Sequence, residues 1–200
     1  LIAQMPERVI GMLPEAAAAV AELYATVLAK LARTAGYRVG TGEVQRPDGV
    51  VIALDAEAPL HTLGRLVQED LCVMLPQAGT HILAAAVLCF PASWTLSEKL
   101  GRSMLDIHTP VQEYDGDLAK RVQRLFDAIR PEQPLWRMNY NIYADATLFH
   151  PKSESDPHSV RRAGKYVRSE RQCLLRLPQT SAVLFSIHTY QVALDGLAAD

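Results

Sequence analysis

The chain has 200 residues, 49% of them hydrophobic and 21% charged, with 20 Lys and Arg against 22 Asp and Glu and a formal net charge of −2. That length fits one domain with a real core, and ordinary apolar content at near-neutral charge argues against disorder and against the basic footprint of a nucleic-acid binder. Three scattered cysteines (Cys72, Cys89, Cys173) with no CxxC pair rule out a disulfide framework and favour a reducing, cytoplasmic setting.

The first residues lack the basic-then-apolar pattern of a signal peptide, and the chain starts at Leu1 without an initiator Met, as a piece of a longer protein would. Pro14 suits a first helical turn. Val20, Leu23, Tyr24, Val27, Leu28 and Leu31 then form one apolar stripe, so an N-terminal helical extension is expected over about 1–35. Gly36, Gly40 and Gly42 end it. Residues 36–59 read as loop with a short strand near 49–54; GYRVGTG has neither the P-loop lysine nor GxGxxG spacing and reads as a turn.

Leu66–Leu75 alternates and Ile82–Phe90 is a continuous apolar run, giving two strands joined by a hairpin around Pro76–Thr80. That run is far shorter than the ~20 residues of a membrane helix. Thr95 and Glu98 have capping-box spacing. Leu100, Met104, Leu105 and His108 share a helical face that Pro110 terminates. A second helix is expected from about Asp117 to Ile129. Strands follow at Leu135–Tyr143, Tyr166–Leu177 and Ala182–Tyr190, the last two joined through Pro178–Ser181; His150–Lys165 reads as a surface loop. Strand, strand, helices, strand, strand, strand is an α+β pattern. A five-stranded antiparallel sheet with helices inserted after the second strand is a PAS-like layout, here expected as one domain over 1–200.

Polar residues on apolar faces are the informative ones. Glu69 alternates with Val67, Leu71, Val73 and Leu75, so it is a structural salt bridge, a strand-end position, or a carboxylate tuned by a pocket. Arg171 shares a face with Val167, Cys173, Leu175 and Leu177, where it could pair with Glu69, meet an anionic ligand or snorkel. Arg168, Glu170, Gln172 and Arg176 on the opposite face read as a solvated ion-pair ladder. Arg137, Asn139, Asn141 and Tyr143 alternate against Trp136, Met138, Tyr140 and Ile142. His108, leaving an apolar helix face, is either a core histidine or a lone axial ligand of the kind haem iron uses; with no CxxCH, such a haem would be held non-covalently. His61, His81, His150, His158 and His188 have no metal-site spacing.

VQEDLCVML (67–75), LCFPASW (88–94), EKLG (98–101), IHTPV (107–111), RMNY (137–140), SERQCLLRLPQT (169–180) and FSIHTY (185–190) together resemble the haem-dependent oxidative N-demethylase family, in the family's order. The resemblance implies a PAS-like domain that binds haem b and oxidatively demethylates a small methylated amine such as dimethylamine. It implies O₂ as oxidant, electrons from NADPH through FMN and 2Fe–2S centres on reductase partner chains, and a tetrahydrofolate-linked route for formaldehyde. Three cysteines cannot themselves hold a 2Fe–2S cluster. Carried over, the resemblance makes His108 the iron's axial ligand and Glu69 the distal carboxylate facing amine and oxygen. It offers Arg137, Asn139 and Arg171 for haem propionates or pocket hydrogen bonds, then Glu170 and Tyr190. Tyr140 stands where the family often has Trp and His188 where Arg is common, and the family's C-terminal helical part is expected to be missing or cut short after Asp200. The competing expectation is a haem-PAS gas sensor or a non-catalytic small-ligand-binding domain.

Overall fold

Alanine is the best helix former, and the alanine-rich N-terminal third folds accordingly. The computed structural model describes residues 1–107, 116–156 and 164–196. Helix α1 (Pro6–Val9) leads into a short strand β1 (Ile10–Met12), a 3₁₀ turn (Pro14–Ala16) and helix α2 (Ala17–Leu31). Strands β2 (Arg38–Val39), β3 (Glu43–Gln45) and β4 (Val51–Ala53) make a small separate antiparallel sheet whose Val44 and Ile52 pack with Leu31 and Leu66. This replaces most of the expected loop. Helix α3 (Pro59–Leu66) was also not anticipated, although Pro59 sits at its first position and Leu60, Leu63 and Leu66 fall on its buried side.

The main sheet is antiparallel with six strands, not five, in the order β1-β6-β5-β9-β8-β7. Its long strands are β5 (Asp70–Gln77), β6 (Thr80–Val87), β7 (Leu135–Tyr143), β8 (Tyr166–Arg176) and β9 (Val183–Ala193). Helices α4 (Leu96–Lys99), α5 (Met104–Ile107) and α6 (Gly116–Ala128) stand between β6 and β7, as expected. The β5–β6 hairpin turns tightly through Ala78 and Gly79, both at positive φ.

One sheet face meets α2 and α3, where Leu71, Val73, Leu177 and Leu184 pack with Val20, Leu23, Leu60 and Leu63. The other meets α4 and α6, where Cys72, Met74, Leu83 and Val183 pack with Leu96, Phe126 and Ile129. The register slips between Val73 and Met74, which pair with Ala85 and Leu83 and leave Ala84 as a bulge. Leu83 is then free to bond sideways: its N–H donates to Arg102 O (3.1 Å) and its carbonyl accepts from Gly101 N–H (2.8 Å). Gly101 takes φ +80° to make that approach. The helix expected through Leu100–His108 is therefore two single turns, α4 and α5, separated by a segment docked on β6.

A second corrected detail concerns Thr95. Its hydroxyl donates to the Glu98 carboxylate (2.7 Å) rather than accepting a backbone N–H, so the capping box is not formed. On α2, buried Glu22 clasps the β8–β9 turn, accepting from Gln179 N–H (2.7 Å), Thr180 N–H (2.8 Å) and the Thr180 hydroxyl (2.6 Å). Burial alone would raise this carboxyl's pKa, but the three donors outweigh it and hold the group below its usual range.

Candidate functional site

A cavity of about 1030 Å³ lies between the α6 side of the sheet and the elements that cover it. That volume is at the upper end for small-molecule and cofactor sites. One wall is apolar: Cys72, Met74, Leu83, Met104, Ile107, Val122, Phe126 and Phe185 face in from strands and helices. The part of the sheet formed by its last two strands is polar, with Arg137, Asn139 and Asn141 on β7 and Glu170 and Gln172 on β8. Strand alternation makes this wall, since residues two apart point the same way and Arg137 and Asn139 are register partners of Gln172 and Glu170.

The polar wall is wired around one carboxylate. Glu170, buried to 8% exposure, accepts from Gln172 Nε2 (3.0 Å) and Asn139 Nδ2 (3.4 Å) on Oε2, and from Arg168 Nη2 (3.4 Å) on Oε1. Arg137 Nε donates to Gln172 Oε1 (2.8 Å), which fixes the Gln172 amide with its NH₂ toward Glu170. Next to Glu170 on the same face of β8, fully buried Arg168 also donates to Leu148 O (3.0 Å) and to Phe90 O, and its guanidinium lies 5.5 Å over the Tyr143 ring. Those two carbonyls belong to the 88–94 and 148–156 segments, which line the cavity and are tied to each other by Ser93 N–H to His150 O (3.0 Å). Asp70 completes the network, accepting Cys89 N–H (2.6 Å) and Phe90 N–H (3.0 Å). Burial pushes its carboxyl up to about 7 against the lowering pull of those N–H donors and of Arg168.

At the covering side, buried Lys99 donates to Ile107 O (2.7 Å) and pairs with Glu154, fastening α5 to the 148–156 segment. His81 sits under α6, its Nδ1 3.2 Å from Gln123 Oε1 and its ring 5.0 Å from Phe126; burial lowers its pKa, and Nε2 has no partner. The Cys72 thiol is pushed well above its ordinary pKa by burial, so it faces the cavity as a neutral apolar group and not as a thiolate.

The residues singled out from the sequence divide between the two sheet faces. Arg137 and Asn139 line the cavity. Glu69 precedes β5 rather than lying within a strand from Leu66, and its Oε1 is 3.2 Å from His188 Nδ1 on the opposite face. Arg171 is exposed on that same outer face as the register partner of His188, and Tyr190 stands beside it. His108 lies outside the described residues; Ile107, the residue before it, lines the cavity. The Arg168, Glu170, Gln172 face is not a solvated ladder but the buried floor of the site. The sequence carried one usable signal for it: three polar residues on one strand face opposite the polar face of β7.

The molecule is an α+β domain whose antiparallel sheet and overlying helices border a chamber of this size. Its guest would have an apolar body and a polar or charged part. The chain belongs to the haem-dependent oxidative N-demethylase, alpha subunit-like family, whose model matches residues 1–200. The described residues fit the haem that family name implies. Haem is a flat apolar body edged by two carboxylates; the apolar wall suits the first, and Arg137 and Lys152, both on the lining, suit the second. Among the described residues no helix is long and apolar enough to cross a membrane.

Proposed function

We propose that this chain is a haem b-binding, PAS-like domain that oxidatively demethylates a small methylated amine such as dimethylamine, with O₂ as oxidant. The PAS-like reading is supported by the order of the five long strands: counted from β5 they run second, first, fifth, fourth, third, with β1 added at the edge. In this reading His108, which follows Ile107 of the apolar wall in sequence, would hold the haem iron, and Arg137 and Lys152 would hold its propionates. Bound haem supplies the oxygen chemistry, and the protein's work is binding, orientation and polarisation. Electrons come from NADPH by way of FMN and 2Fe–2S centres on a reductase partner.

The observation that carries the amine assignment is Glu170. It is a buried carboxylate on the cavity lining, held by Gln172 and Asn139 and backed by Arg168. An ammonium group entering the chamber meets an oriented anion there, and a carboxylate can take and return the amine proton. Glu69 lies on the other sheet face with His188, so we assign the substrate-facing role to Glu170. Glu170→Gln should retain the haem spectrum, lose the amine-induced change in it, and lose on the order of a hundredfold in amine turnover. Glu69→Gln should retain all three. Full turnover in Glu170→Gln together with loss in Glu69→Gln would overturn the assignment. A haem protein that binds amine or O₂ in the presence of a competent electron donor without turnover would favour the sensor class.

A further inference from the structure

We infer that the outer face of β7, β8 and β9 is a self-association surface, occupied in solution by the same face of a second copy of this chain. The inference is independent of the haem reading.

β7 turns its polar residues inward to the cavity and its apolar ones outward, the reverse of an ordinary half-buried strand. Trp136, Met138, Tyr140 and Ile142 on β7, with Tyr190 and Val192 on β9, are between 45 and 71% exposed. They are laid out in register across β8: Tyr140 and Tyr190 flank Ser169, and Ile142 and Val192 flank Val167. Trp136, at one end, also borders the cavity. From typical side-chain burial areas these six present roughly 400–650 Å² of apolar surface. That is at or above the largest patch of an ordinary monomer. It also matches what a homodimer needs, since a standard interface covers about 800 Å² per partner and is about 65% apolar in homodimers.

One further feature favours a like partner over an unrelated one. A two-fold interface must be complementary to itself. In this apolar field the charged groups have opposite sign and lie near each other: Arg171 is exposed beside His188, which contacts Glu69. A two-fold axis between them sets each Arg171 toward the other copy's Glu69.

The test is sedimentation velocity on the whole chain at micromolar concentrations, with circular dichroism as the fold control. Wild type should sediment as a dimer. Tyr140→Glu, at the most exposed position, should raise the dissociation constant at least roughly tenfold with unchanged circular dichroism. Arg171→Glu and Glu69→Arg should each weaken the dimer and together restore it. A wild-type monomer across the range overturns the inference. So does a dimer that Tyr140→Glu and Tyr140→Ala leave intact while folded, because it would use another surface.

Discussion

Replacing Arg168 by methionine should cost about 3–5 kcal/mol of folding stability. The side chain is 1% exposed and is the largest fully buried one among the described residues. It donates to Leu148 O, Phe90 O and Glu170 Oε1, and is the cation facing buried Asp70 and Glu170. Methionine fills much of the volume but removes the donor from two partly buried carbonyls and leaves a buried carboxylate without its counter-charge. Removing one member of a buried ion pair costs about 3–5 kcal/mol, mostly as the penalty of the charge left behind. With a urea m-value near the top of the usual range of roughly 1–3 kcal/mol/M, the midpoint should fall by about 1–2 M. Arg168→Lys should fall between the two, since one ammonium cannot span three acceptors. Exposed Arg124→Met on α6 should stay within about 0.5 kcal/mol. An Arg168→Met loss below about 1 kcal/mol would refute the reasoning that this network ties the cavity's two bordering segments to the sheet.

The Asp70 carboxyl, raised by burial to about 7, stands above its unfolded value near 3.9, so the native state holds the extra proton between those limits. Its contribution is therefore fully present below about pH 4 and is lost as pH rises through 7, by on the order of 4 kcal/mol. Urea melts across that window should show the loss in wild type but not in Asp70→Asn, and parallel curves would contradict it. At Gly64 an added methyl would lie 2.5 Å from Ile2 Cδ1 and 2.6 Å from Val87 Cγ2. Gly64→Ala should thus destabilise by roughly 1–3 kcal/mol, read as a lower thermal midpoint, and an unchanged midpoint would show that α3 can move away from the sheet.

How much of this was legible in the sequence depended on periodicity. β7 was bounded residue for residue, both hairpins were placed, and the helical insertion after β6 followed from Pro, Gly and apolar spacing. Alternation also sorted Glu170, Gln172 and Arg168 onto one face and Arg171 onto the other. It could not say which face is covered, because period two labels two sides without choosing between them. The usual choice, apolar side inward, fails at β7 and β8, where the enclosed space is a chamber with a polar floor. Leu83 illustrates a second limit: a bulge at Ala84 redirects its backbone groups to Gly101 and Arg102, and no local pattern announces that the next helix is interrupted as a result. Glu69 looked anomalous only while the strand was extended back to Leu66. With β5 starting at Asp70, the buried acid of the QED motif is Asp70.

Haem held through His108 is the proposal on which the oxidative role rests. The most direct measurement is the absorption spectrum of the purified chain, expressed with haem supplied, beside that of His108→Ala. Wild type should show a strong Soret band that is lost or shifted in the variant. A folded wild-type protein with no Soret band, or a band unchanged in His108→Ala, would contradict it.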